Sequence, residues 1–123
     1  MKFTRTKAVI AATGLALSLA ACGSDDGDSD VDVATDTDFA EGTTMAKIAD
    51  EGTITIGTKF DQPGFGLKNL SDDLEGFDVE VGKIIAGALG IAPDKIEWKE
   101  STSDVREQLI EDGDVDLVVA TYT

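Results

Sequence analysis

Residues 76–89 read Gly-Phe-Asp-Val-Glu-Val-Gly-Lys-Ile-Ile-Ala-Gly-Ala-Leu. Phe77, Val81, Ile84, Ile85, Ala88 and Leu89 recur at offsets 0, 4, 7, 8, 11 and 12, the stripe of an α-helix and not the alternation of a strand. Asp78 and Glu80 occupy the first turn, where the helix dipole favours negative charge. Gly90 ends the helix, and Pro93 prevents it from resuming. Periodicity alone therefore predicts a helix packed on a sheet through that stripe.

The segments around it supply the sheet. Thr53–Thr58 is β-branched, bounded by glycines, and reads as the first strand. Before it, Met45–Glu51 suits a short helix capped by Thr43 or Thr44 and stopped by Gly52. Lys59–Glu75 reads as a long connection, and loops of that length tend to be functional. Lys95–Lys99 alternates and predicts the second strand, with Trp98 in phase with Ile96 and therefore in the core. A second helix is expected from Ser103 or Asp104, with Asp104 and Glu107 as a capping box and Val105, Leu109 and Ile110 buried. Leu117–Ala120 is a continuous apolar run, as in a parallel strand covered on both faces. The order β-α-β-α-β predicts an α/β fold with a parallel sheet. In such sheets a ligand lies outside the carboxyl ends of the strands, here 59–66, 100–103 and 121–123. The residues alone thus lead to a small-molecule site on one α/β lobe.

Composition narrows the partners. The 123 residues include 25 acids against 10 bases and no histidine, so nucleic acid is a poor partner and the commonest metal ligand and general base is missing. No cofactor or metal is expected. Lys2, Arg5 and Lys7 precede an uncharged run, Ala8–Ala21, that is too short to span a bilayer. Leu19-Ala20-Ala21-Cys22 closes it, with the small residues of a lipobox before the single cysteine of the chain. An intrachain disulfide is impossible, and acylation of Cys22 accounts for an otherwise orphan thiol. The expected division is a lipoprotein signal peptide over 1–21, an acidic disordered linker over 22–43 and a domain over 44–123. The linker carries eight acids and no base between residues 24 and 44, and is read as a solvated tether. A calcium loop opening at Asp28, Asp30 and Asp32 fails, because Val33 stands where glycine is needed and Phe39 where glutamate is needed.

The order of residue types goes further. Gly-Phe-Asp-Val-Glu-Val, three residues, Ile-Ala, two residues, Leu resembles the signature of the extracellular solute-binding proteins that serve amino-acid ABC importers. The resemblance continues through Gly52–Gly66 (Gly-Thr-Ile-Thr-Ile-Gly-Thr-Lys-Phe-Asp-Gln-Pro-Gly-Phe-Gly) and Glu97-Trp-Lys-Glu-Ser. It ends with Gly113–Thr123 (Gly-Asp-Val-Asp-Leu-Val-Val-Ala-Thr-Tyr-Thr), and the first two of these segments are particularly similar to glutamate-type receptors. It implies the first lobe of a two-lobe periplasmic-binding-protein-like fold.

By that resemblance, Thr121 offers its carbonyl and Thr123 its hydroxyl to a ligand α-amino group, and Lys59 takes a side-chain carboxylate. Phe65 gives apolar contact or closes the core under its loop, and Thr102 sits near the rim. Lys59 is otherwise a solvated lysine, and Asp61 a turn cap more than an ammonium ligand. Arg106 reads as a helix-surface residue or a partner of Glu107 or Glu111. The family's carboxylate-clamping arginine, second lobe, hinge and return strand have no counterpart in 44–123, so a truncated receptor that binds weakly is expected. The implied protein is a monomeric, non-enzymatic receptor for an amino acid of the glutamate, aspartate or glutamine class. It is expected on the extracytoplasmic face, held to the membrane by its lipid anchor alone and handing its ligand to an ABC permease. The alternatives are a dehydratase-like enzyme on the same fold and a sensing or adhesin lipoprotein.

Overall fold

The computed structural model describes residues 31–122. The expected signal peptide and Cys22 therefore lie outside the described residues, as does Thr123. At the centre is β1 (Ile54–Thr58), which runs parallel to β5 (Ile96–Glu100) on one side and to β6 (Leu117–Val118) on the other. Ile54 faces Ile96 and Thr58 faces Glu100, while Ile56 faces Leu117. The expected α/β core with a parallel sheet is present.

Helix α1 (Thr44–Glu51) begins at Thr43, whose hydroxyl accepts the Ala46 N–H, and ends at Gly52 in the left-handed conformation. Both ends agree with the sequence signals. Residues 59–75 are more structured than the single connection expected. They hold an antiparallel meander of β2 (Asp61–Gln62), β3 (Gly66–Lys68) and β4 (Leu74–Glu75). Asp61 accordingly pairs with Leu67 inside a ladder.

Helix α2 (Phe77–Ala88) follows Gly76. Its end is a Schellman turn: Gly90, at φ +80°, donates to the Gly87 carbonyl, and Ile91 donates to that of Ala86. The helix length matches expectation, but its buried face does not. Asp78, Val79, Gly82, Ala86, Gly87 and Leu89 are buried, whereas Phe77 is 65% and Ile84 60% exposed. Close approach decides this. A Cβ at Gly82 would lie 2.6 Å from Trp98 Cη2 and 3.4 Å from Ile56 Cδ1, so the small-residue side is the side that seats on the sheet. The core joins Ile48, Ile54, Ile56, Ala86, Leu89 and Ile91, with Phe39, Ile85, Ile96, Trp98, Leu117 and Val119 packed around it. Trp98 is thus a core residue, as its phase predicts.

The third helix departs most from expectation. α3 spans Arg106–Glu111 and starts after Val105 without a side-chain cap. The capping box does not form, because the Asp104 carboxylate accepts the Thr102 hydroxyl instead. Val105 and Ile110 are 39% and 49% exposed, and the buried residue is Arg106. β6 is shorter than the apolar run suggests, and its residues are only half-buried. The acidic stretch over 31–43, read as a solvated linker, is mostly exposed but touches the domain at two places. Ala34 N–H donates to the Gly87 carbonyl, and Phe39 packs against the core.

Candidate functional site at the carboxyl rim of the sheet

The three parallel strands deliver Lys59, Ser101–Ser103 and Val119–Thr121 to one edge. The Ser101 amide donates to the Thr58 carbonyl at 2.8 Å and the Val119 amide to the Gly57 carbonyl at 2.9 Å, which locks the strand ends level. The meander closes over them. A Cβ at Gly66 would collide with the Lys59 carbonyl oxygen and with Thr58 Oγ1, so only glycine lets β3 press against the end of β1. The amino end of α2 is tied to the same loop, with Phe77 donating to the Gly64 carbonyl and Asp78 to that of Phe65.

Charge marks this edge more clearly than shape. The described residues carry seven bases. Lys47, Lys68, Lys83, Lys95 and Lys99 each make an ion pair with Glu51, Asp72, Glu80, Asp94 and Asp114 respectively. Lys59 and Arg106, at 9% and 6% exposure, are the two buried bases. Among the described residues neither makes an ion pair within 4 Å, although Arg106 lies near enough to Glu107 to help lower its pKa. Two mostly buried bases without a close ion pair make this edge the place where an added anion would be most favoured.

Arg106 is held in place rather than free. Its Nη2 donates to the Thr121 carbonyl at 3.0 Å and to Ser103 Oγ at 3.2 Å, and its guanidinium lies 4.7 Å from the Tyr122 ring centroid. Its Nε is buried without a partner among the described residues. The helix-surface reading is therefore corrected: the first turn of α3 faces the end of β6, and the side chain fills that gap. The Tyr122 hydroxyl donates to Glu107 Oε1 at 2.8 Å. That bond, followed by a backbone hydrogen bond, holds the Glu107 carboxyl below its ordinary value, and the same contact pushes the Tyr122 phenol up.

The other anticipated residues are distributed as follows. Thr121 is half-buried, its carbonyl accepting from Arg106 and its hydroxyl lacking a partner among the described residues. Thr102 is half-buried, with its hydroxyl donated to Asp104, and that contact lowers the Asp104 pKa. Phe65 is 41% exposed on the meander, so it does not close the core. Thr58 and Ser101, both fully buried, add hydroxyl oxygens with no partner among the described residues. Sequence reasoning passed them over, although each stands at the end of a strand that it placed. The hydroxyls of Thr58, Ser101 and Thr121 are covered by the fold, so the groups at the rim suited to a small polar anion are the two bases. A separate groove between residues 37–43 and α1 presents Asp38, Glu41, Asp50 and Glu51, and its charge is wrong for such a ligand. Among the described residues no group of three His, Cys, Asp or Glu side chains is placed to hold a metal ion.

Residues 54–123 match the sequence profile of bacterial extracellular solute-binding proteins, family 3. The chain belongs to that family. It is 38% identical over 128 residues to the glutamate-binding protein GluB of Corynebacterium glutamicum, covering 98% of this chain and 38% of GluB. It is 39% identical over 106 residues to the ABC transporter glutamine-binding protein GlnH of Bacillus subtilis, covering 85% of this chain and 37% of GlnH. Among solved structures, the receptor for L-cysteine of Neisseria gonorrhoeae superposes with a TM-score of 0.60 at 37% identity, over 63% of this chain and 32% of that one. An ancestral cationic amino-acid solute-binding protein superposes with a TM-score of 0.59 at 28% identity, over 66% of this chain and 34% of that one. The chain thus spans well under half the length of these relatives, and its fold matches part of theirs.

Proposed function

We propose that this chain forms the first lobe of an amino-acid receptor for an ABC importer, and that its ligand is an acidic amino acid, glutamate above all. The observation that carries the choice of ligand is the pairing pattern of the bases, with Lys59 and Arg106 buried at the rim and outside every ion pair within 4 Å among the described residues. Lys59 takes the side-chain carboxylate in this reading, and Arg106 adds positive charge beside it. Thr121 and Thr123 receive the α-amino group, while Thr102 and Phe65 border the ligand. The Thr121 carbonyl has a second lone pair for that ammonium besides the one directed at Arg106. Two cations on one oxygen repel, and a ligand with two carboxylates offsets that repulsion better than one with a single carboxylate. A neutral amide such as glutamine does so less well.

The relatives are named as binding proteins, and this reading likewise makes the chain a binding module and not an enzyme. Family membership supports an extracytoplasmic position, and among the described residues no helix is long and apolar enough to cross a membrane. Attachment is assigned to acylated Cys22, with the permease of an importer as the partner that receives the ligand. Because a single lobe leaves one side of its ligand in water, affinity for this chain is expected in the millimolar range, about −4 kcal/mol.

The test is a titration of the isotopically labelled chain, followed by the amides of Ser101, Thr102 and Val119. Glutamate should shift them at lower concentration than glutamine, and Lys59→Ala should remove most of that preference. Equal responses to the two ligands, or a Lys59→Ala variant that weakens both alike, would overturn the assignment.

A further inference from the structure

We infer that residues 31–39 are a docked strap that fixes where the N-terminal arm leaves the domain, at the end opposite the candidate binding rim. The sequence reads as a solvated tether, yet the structure seats this stretch on the carboxyl end of α2. The Ala34 amide donates to the Gly87 carbonyl at 2.9 Å. A Cβ on Gly87 would come within 2.5 Å of the Asp32 carbonyl oxygen and 2.8 Å of Val31 Cγ1. A Cβ on Gly90 would stand 3.2 Å from the Ala34 oxygen and 3.2 Å from Thr37 Cγ2. Phe39 then packs against the core and hands the chain to α1. The seat is therefore built from two glycines, one backbone hydrogen bond and one aromatic anchor.

Direction follows from the helix. The amino end of α2 is bonded to Gly64 and Phe65 at the rim, and twelve residues at 1.5 Å each place its carboxyl end about 18 Å away. An arm that enters over Gly87 and Gly90 approaches from the base of the lobe. A membrane attachment made upstream of residue 31 would then meet the domain at its base, on the side away from the rim. The inference stands on the strap contacts alone and does not depend on which ligand the rim takes.

Hydrogen exchange in the intact chain tests the docking. In the native sequence the Ala34 amide should exchange at least tenfold more slowly than its intrinsic rate. Gly87→Ala should abolish that protection while leaving the Ser101 amide, bonded to Thr58, protected. Alanine favours the helix, so loss at Ala34 alone reports the clash with the strap. Ala34→Pro removes the donor without touching the core and decides the matter if Gly87→Ala also lowers Ser101 protection. Spin labels on Val33→Cys and Glu100→Cys, in a Cys22→Ser background, should give one narrow distance population that broadens in both variants. An Ala34 amide that exchanges at its intrinsic rate in the native chain would overturn the strap. A broad distance distribution in the native chain would do the same.

Discussion

Arg106 and Thr121 are joined by a 3.0 Å hydrogen bond from guanidinium to carbonyl, across fifteen residues and between the start of α3 and the end of β6. A buried cation thus reaches toward a neutral oxygen, while the nearby Glu107 carboxylate is bonded to Tyr122 and makes no ion pair with it within 4 Å. Its hydration is given up without a close ion pair in return; under the proposed function this favours ligand capture over stability.

Arg106→Met separates those two roles. Methionine keeps the length and apolar volume of the side chain and removes the desolvated charge, at the loss of the bonds to Thr121 and Ser103. Stability by urea unfolding is expected to change by less than about 1.5 kcal/mol. Glutamate affinity in the labelled-chain titration should fall at least about tenfold, roughly 1.4 kcal/mol. A large stability loss with unaltered ligand response would make Arg106 a structural residue only.

The Tyr122–Glu107 contact sets a pH dependence. The Tyr122 hydroxyl holds the Glu107 carboxyl below its ordinary value in the folded chain. A carboxylate with a depressed folded value contributes stability above its unfolded pKa and loses it as pH falls through the folded one. Tyr122→Phe should return Glu107 toward the ordinary glutamate value, and carbon-detected NMR titration of the Glu107 carboxyl would read the shift. An unchanged titration curve would mean that the hydrogen bond is absent in solution.

Gly82 lets α2 sit against Trp98. Placing a Cβ 2.6 Å from the indole forces the helix off the sheet, so Gly82→Val should cost about 1–3 kcal/mol. Trp98 emission should move toward longer wavelength at the same time. Ile84→Gln, on the exposed side of the same helix, should stay within about 0.5 kcal/mol. Reversed magnitudes would restore the face suggested by the apolar count.

Acylation of Cys22 is tested by fractionation. In an expressing cell Cys22→Ser should move the chain from the membrane fraction to the soluble one and abolish fatty-acid labelling. Retention of the serine variant on membranes would require another anchor.

How far the sequence could be read depended on whether a signal was local. Thr43, Gly52 and Gly90 act on their own turns, and they bound α1 and α2 as expected. The choice of helix face is a tertiary matter. Phe77 and Ile84 outweigh Gly82 and Ala86 in apolar area, but the helix can approach Trp98 only through its small residues. The same holds at the rim. Lys59 is a candidate through the resemblance to glutamate-type receptors, while Arg106 reads as an ordinary helix residue. Only the end of β6, fifteen residues further on, gives its guanidinium a place to go. The meander in 59–75 was hidden by strands of two or three residues, too short to show alternation.

Because β1 is the middle strand of the described parallel sheet, it waits for β6. The Gly57 carbonyl receives its hydrogen bond from Val119, and the Thr55 amide donates to the Asp116 carboxylate, 61 residues on. At 5–20 residues per second that separation takes about 3–12 s to emerge. Helices α1 and α2 can form locally within microseconds, but the sheet has only one side to close on until β6 arrives. Folding is therefore set by long-range closure more than by helix formation. For those seconds the nascent chain remains open, with Ile54 and Ile56 uncovered on a strand that has at most one neighbour.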